Sequence, residues 1–176
     1  MTRDRRQSRP QEEEDGAEAA GGIVLADLLS HLLRRAHFEA EATFAAHYDG
    51  LDVTSRQLAL LFTIARHPGA PQTVLADHVG LDANTFSDLA KRSQAKGLIR
   101  RERSPTDGRA FGLYLTERGR TTIAAAAPMT AAYQDRIARH LTDAQKRELV
   151  RLLKQLLALD DGNDASTSAR AIPEND

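Results

Sequence analysis

The 176-residue chain has no cysteine and no tryptophan, only two methionines and six prolines, and aromatic side chains at 5% of its positions. Without cysteine there can be no disulfide, thiolate metal ligand, cysteine nucleophile or thiol redox sensor. Such a composition suits a reducing compartment, and a cytoplasmic location is expected. No stretch approaches the roughly 18 consecutive apolar residues of a membrane span. The charged start, Met1 to Asp15, is followed by no apolar segment with a cleavage site, so neither secretion nor a membrane partner is expected. A Gly-rich phosphate loop, a Gly-x-Ser-x-Gly elbow and a pair of acids set for acid–base work are all missing, which argues against an enzyme and against a cofactor. The histidines stand at positions 31, 37, 47, 67, 78 and 140. None are spaced i, i+4, and without His-Glu-x-x-His or cysteine no metal site is expected.

What the chain does have is 41% hydrophobic and 28% charged residues at a formal net charge of −1, enough for one ordinary core. Residues 1–22 and 160–176 carry too few apolar groups to repay the entropy of ordering, and both read as disordered tails. The first tail turns from Arg3, Arg5 and Arg6 to Glu12, Glu13, Glu14 and Asp15. It reads as a solvated leader rather than a basic arm. Between the tails the apolar period is helical. Leu25, Leu28, Leu29, Leu32, Leu33 and Ala36 mark an amphipathic helix running to about Tyr48, ended by Gly50. Thr54-Ser55-Arg56-Gln57 has capping-box spacing and opens a second helix through Leu58, Leu61, Phe62 and Ala65. A short helix over Thr73–Val79, a turn at Gly80 and a longer helix over Asp82–Lys96 follow.

After Gly97 the period changes. Leu98 to Arg103 and Ala110 to Leu115 read as two strands about the Ser104-Pro105-Thr106-Asp107-Gly108 turn, with Phe111, Leu113 and Leu115 on one side. A long helix then begins at Thr116-Glu117-Arg118 and runs to about His140, with Pro128 as a kink or boundary. Thr142-Asp143-Ala144-Gln145 opens a last helix whose Leu149, Leu152, Leu153 and Leu156 form a stripe. The expected fold is mainly α with a small β-hairpin wing. A winged helix-turn-helix domain (54–120) is flanked by N-terminal (23–49) and C-terminal (121–159) dimerisation helices.

Short helix, tight turn, helix and hairpin together are the arrangement of a winged helix-turn-helix. Val74, Leu75 and Val79 are placed inward from the first of those helices, and Phe86, Leu89 and Ala90 from the second. That leaves Asn84, Thr85, Ser87, Asp88, Lys91 and Arg92 outward, a polar set suited to a major groove. From Lys91 to Arg109 seven basic residues (Lys91, Arg92, Lys96, Arg100, Arg101, Arg103 and Arg109) face only Glu102 and Asp107. The local balance of 7 − 2 = +5, in a chain of net −1, points at a polyanion. Arg103 joins the candidate DNA contacts on this ground. A protein-interaction module without DNA would need an acidic or apolar second helix, and Lys91, Arg92 and Arg109 tell against it.

These residues also resemble a known family. Lys96-Gly97-Leu98-Ile99-Arg100-Arg101, then Asp107-Gly108-Arg109, then Leu115-Thr116-Glu117-Arg118-Gly119 is similar to the signature of the MarR family of bacterial regulators, with likeness extending over roughly residues 22–159. The resemblance implies a homodimer whose first and last helices interlock, presenting paired winged helices to the half-sites of a pseudo-palindromic double-stranded operator. It places Arg109 at the wing tip in the minor groove, with Asp107 holding the hairpin. It turns Thr85, Ser87, Asp88 and Arg92 toward base edges and phosphates, Asp88 orienting Arg92 or accepting from a cytosine amine. Ser93 departs from the apolar residue usual there, and its hydroxyl is expected to bond back to the preceding turn.

The resemblance further implies a small effector, often aromatic or anionic, bound between dimer helices and winged domain. In the first helix His31, Arg34, Arg35, His37, Phe38, Phe44 and Tyr48 supply cations and rings for such a molecule. Leu32-Leu33-Arg34-Arg35-Ala36-His37 is similar to repressors of nicotinate and aromatic-acid breakdown. The expected function is a repressor released by a small aromatic or heteroaromatic acid. The alternative is a metal-responsive or constitutive winged-helix DNA-binding protein.

Overall fold

The structure, a computed structural model, describes residue 22, residues 24–103 and residues 111–159. The predicted tails and the wing tip, with Asp107 and Arg109, lie outside the described residues. Helix α1 (Leu29–His47) is followed by α2 (Ser55–Arg66), α3 (Gln72–Val79) and α4 (Ala83–Ala95). Strands β1 (Ile99–Arg103) and β2 (Phe111–Leu115) come next, then α5 (Glu117–Ala126), α6 (Thr130–Ile137) and α7 (Asp143–Leu156). Among the described residues no helix is long and apolar enough to cross a membrane, and no three metal-ligating side chains converge.

Both capping boxes form. The Gln57 amide donates to Thr54 Oγ1 at 3.2 Å while the Thr54 amide donates to Gln57 Oε1 at 3.1 Å. Thr142 and Gln145 repeat the exchange at the start of α7. Each satisfies amides that a first helical turn otherwise leaves without partners.

Three boundaries differ from the sequence reading. Residues Leu25–Asp27 form a separate 3₁₀ turn, and Leu28 is extended at φ −77°, ψ 119°, so the first helix starts at Leu29. The long helix expected from Thr116 to His140 is divided by a second 3₁₀ turn at Ala127–Met129, because Pro128 has no amide to continue the ladder, and α6 ends at Ile137. The first strand begins at Ile99, since Leu98 belongs to the turn leaving α4.

The winged domain is built on one core. Leu60, Leu61 and Ile64 of α2, Leu75 and Ala76 of α3, Phe86, Leu89 and Ala90 of α4, and Leu98, Ile99 and Leu113 of the hairpin all pack together. Val79 lines this core as expected, but Ala76 rather than Val74 supplies the third inward contact of α3. Fully burying a Leu, Ile or Phe contributes about 1.5–3 kcal/mol, so this cluster dominates the stability of the module.

A second, smaller cluster joins α1 to the C-terminal helices: Phe44, Tyr48, Leu58 and Ala126, with Met129 and Tyr133 against them. Tyr133 donates to the Ala40 carbonyl at 3.2 Å, and burial pushes its phenol above the usual tyrosine range, which keeps the donor proton in place. The imidazole Nε2 of His47 bonds the Met129 carbonyl at 2.9 Å. Leu29, Leu33, Ala40 and Phe44 follow one stripe of α1 at about 100° per residue. The C-terminal half of that stripe is covered by this cluster. Its N-terminal half, with Leu29 at 59% and Leu33 at 39% exposure, is bare within a single copy of the chain.

Candidate nucleic-acid interface

The turn between α3 and α4 sets the reading helix. Gly80 closes α3 in the left-handed region at φ 71°, where a side chain would strain the backbone, and its amide reaches the carbonyls of Ala76 and Asp77. Asp82 then caps α4. Its Oδ1 accepts from the amides of Asn84 and Thr85, both at 3.0 Å, and its Oδ2 from the Thr85 hydroxyl at 2.6 Å. The Thr85 hydroxyl, followed by the Thr85 amide, holds this carboxyl below the usual aspartate range.

Phe86, Leu89, Ala90 and Ser93 form the buried face of α4. Ser93 is fully buried and donates to the Leu89 carbonyl at 2.8 Å, the back-bond expected of it. Asn84, Asp88, Lys91 and Arg92 are exposed, while Thr85 and Ser87 are half-buried. Asp88 pairs with Lys91 at 3.4 Å, one turn on, rather than with Arg92. The outward face has two flanks. Ser87, Lys91 and Gln94 look toward the wing across a groove of about 330 Å³. Arg92 and Lys96 look toward α1 and α2 across a cleft of about 510 Å³ that also holds Glu41, Ser55 and Arg56.

The C-terminal end of α4 is gripped by residues distant in the chain. Lys96 donates to both the carboxylate (2.7 Å) and the carbonyl (2.9 Å) of Asp52, and Arg118 reaches the Lys96 carbonyl at 2.9 Å. The Lys96 pairing is the main reason the Asp52 carboxyl sits below its ordinary value. Thr116 Oγ1 donates to the carbonyls of Gly97 (2.6 Å) or Leu98 (3.0 Å), and a Cβ on Gly119 would lie 2.1 Å from the Leu98 oxygen. The two separated halves of the sequence signature, Lys96-Gly97-Leu98 and Thr116-x-Arg118-Gly119, are thus a single contact that fixes where α4 ends and the wing begins. Sequence reasoning missed Asp52, because nothing local marks a loop acid as the partner of a lysine so far along the chain.

In the wing, Ile99 pairs with Leu115, Arg101 with Leu113 and Arg103 with Phe111. The hairpin face that is apolar at its base therefore becomes arginine and phenylalanine toward its tip. Arg100 lies on the other face, bound to the Glu102 carboxylate and the Leu115 carbonyl. The Gly69 amide donates to the Leu113 carbonyl at 2.9 Å and ties β2 to the body. Of the basic patch, Lys91, Lys96 and Arg100 carry carboxylate partners. Arg92, Arg101 and Arg103 have none among the described residues.

The candidate effector residues of α1 do not converge in one copy of the chain. Phe44 and Tyr48 are core residues, 7% and 4% exposed, on the face that meets Tyr133. Phe38 is 63% exposed, Arg34 and Arg35 are exposed and His31 is half-buried, and none of these four belongs to that core cluster. His37 is exposed and borders the core face, its ring 5.9 Å from that of Phe38.

A polar-faced helix capped at one end, clamped at the other and flanked by a cationic hairpin defines a winged helix-turn-helix DNA-binding module. A family model for MarR regulators matches residues 51–110, which span that module from the loop before α2 into the wing. A protein assigned as transcriptional regulator of the hcr operon of Thauera aromatica is 31% identical over 153 residues, 86% of this chain and 92% of that one. The chain belongs to the MarR family of transcription regulators; it is a DNA-binding protein and not an enzyme. Among solved structures, the PcaV regulator of Streptomyces coelicolor in complex with its natural ligand superposes with a TM-score of 0.72 at 25% identity, covering 78% of this chain and 96% of that one. The repressor CouR bound to a 23-mer DNA duplex gives 0.69 at 29% identity, covering 76% and 94%, and CouR has also been solved with p-coumaroyl-CoA.

Proposed function

We propose that this protein is a homodimeric repressor that leaves a pseudo-palindromic operator when a small aromatic or heteroaromatic acid binds it. Asn84, Thr85, Ser87, Asp88, Lys91, Arg92 and Arg103 are the DNA contacts in this reading, with Asp107 and Arg109 at the wing tip.

The observation that carries the release mechanism is the double position of Arg92. It belongs to the outward face of α4 and also lines the cleft shared with α1 and α2, where Arg56 adds a second guanidinium and Leu89 an apolar floor. A carboxylate seated there draws on the same guanidinium that would meet DNA, and an aromatic body covers the apolar floor. Occupancy then favours a dimer state whose reading helices no longer match consecutive grooves. CouR, a structural relative solved with DNA and with an aromatic acyl thioester, supports this class of effector. His31, Arg34, Arg35, His37 and Phe38 join such a site only where a second copy supplies the facing surface.

Dimerisation is supported by the bare leucine stripe at the start of α1 and by Leu149, Leu152 and Leu156, which leave a second stripe exposed on α7. Large contiguous apolar surface of this kind marks an association face. Equilibrium sedimentation should give twice the chain mass, and Leu156→Asp should shift it toward the single chain. Titration of benzoate- and nicotinate-type acids into a complex with duplex from the region upstream of its own gene should release the DNA. Retention against the whole panel would leave a constitutive binder.

A further inference from the structure

We propose that the groove between α3, α4 and the wing seats a DNA backbone phosphate, and that Phe111 is the positioning residue that aims Arg101 at it. The proposal rests on the DNA-binding assignment and gives specific roles to Arg101 and Phe111, neither of which was among the candidate DNA contacts.

Thr73, Ser87, Lys91, Gln94, Arg101 and Phe111 are among the residues that line the groove. It joins the polar flank of the reading helix to the cationic face of the hairpin, the track along which a strand backbone would pass. Phe111 stands out. Strand alternation places it on the core-facing side with Leu113, yet it is 39% exposed and belongs to neither core cluster. Its ring carries two guanidiniums instead: Arg101 lies 4.3 Å and Arg103 5.8 Å from its centroid.

The chemistry of that stack differs from an ion pair. A guanidinium held by a carboxylate spends its N–H donors there, as Arg100 does on Glu102. A guanidinium held by its flat face against an aromatic ring keeps its edge donors free for a planar or tetrahedral anion. Arg101 has no carboxylate partner among the described residues, and Lys91 stands across the groove. Two cations with hydroxyl and amide groups between them suit a phosphodiester oxygen. An exposed phenylalanine that only filled space would have no reason to lie beneath two arginines.

The test measures binding of the full chain to a random-sequence 30-base-pair duplex by fluorescence anisotropy across a salt series, since a phosphate seat acts on every sequence. Arg101→Met should weaken binding and reduce the slope of log K against log salt by about 0.9, the value for one phosphate neutralised. Phe111→Leu keeps an apolar side chain but removes the ring. It should weaken binding about two- to fivefold, the range of an exposed cation–π contact, while Phe111→Tyr should restore it. In the Arg101→Met background Phe111→Leu should have a clearly smaller effect than in wild type, only the contact to Arg103 remaining for it to act through. An unchanged salt slope in Arg101→Met, or additive losses in the double variant, would overturn the proposal. Failure of the wild-type protein to bind any duplex would instead remove the DNA-binding assignment beneath it.

Discussion

Replacing Gly119 with alanine should destabilise the protein even though alanine is the better helix former. The added Cβ would stand 2.1 Å from the Leu98 carbonyl oxygen, a backbone atom that already accepts from the Thr116 amide at 3.1 Å and the Thr116 hydroxyl at 3.0 Å. Relieving the overlap means moving α5 away from the turn that follows α4. Overpacking of this kind costs about 1–3 kcal/mol, and a weakened hydrogen bond adds about 1 kcal/mol. Higher helix propensity returns at most about 1 kcal/mol. The net loss is about 1–4 kcal/mol, which for a chain of this length lowers Tm by roughly 2–16 °C. Gly80→Ala is the matched control: its φ is 71° but nothing lies within 4 Å of the new Cβ, so only the left-handed backbone penalty of about 1–2 kcal/mol applies. Thermal unfolding followed by circular dichroism, at one fixed protein concentration because association shifts Tm, compares the two. A Gly119→Ala variant as stable as wild type would refute the account of the clasp.

Ser93→Leu should cost about 1–3 kcal/mol in urea unfolding, because the site is fully buried, its hydroxyl is bound to the Leu89 carbonyl, and extra methylenes in a packed core force their neighbours to shift. Thr54→Ala should cost about 1 kcal/mol by loss of the capping box at α2, measured the same way. The Asp82 carboxyl is held below its ordinary value in the folded state, so the stability it contributes is present above the unfolded aspartate value and lost as pH falls through the lowered folded one. Acid titrations should show that loss in wild type and not in Asp82→Asn. Arg92→Ala should weaken both operator binding and the response to aromatic acids, and loss of one property alone would separate the cleft from the reading face.

Much of the winged module was legible because its signals are local. Capping boxes act over three residues, Gly80 and Asp82 punctuate the helix-turn-helix, and a Pro-Thr-Asp-Gly turn between alternating segments defines a hairpin. Ser93 followed the same logic, its partner being one turn back on its own helix. What the sequence concealed was set by contacts across long spans. Phe44 and Tyr48 are buried because Tyr133, some ninety residues on, packs against them, a contact no local spacing announces. Lys96 counted toward the cationic patch until the fold brought Asp52 beside it. Asp88 chose Lys91 over Arg92, two helical neighbours that spacing alone does not separate. The break at Leu28 has neither glycine nor proline to announce it.

The joint between α1 and α6 has one more use. The chain has three tyrosines and no tryptophan. Two of them, Tyr48 and Tyr133, sit with ring centroids 5.5 Å apart where the first helix meets the C-terminal helices. The third, Tyr114, lies apart in the wing beneath Arg100. With no indole to collect their excitation, two of the three phenols stand where α1 meets α6. A change in the packing of those helices on addition of DNA or an aromatic acid should therefore register in the tyrosine signal without an added dye.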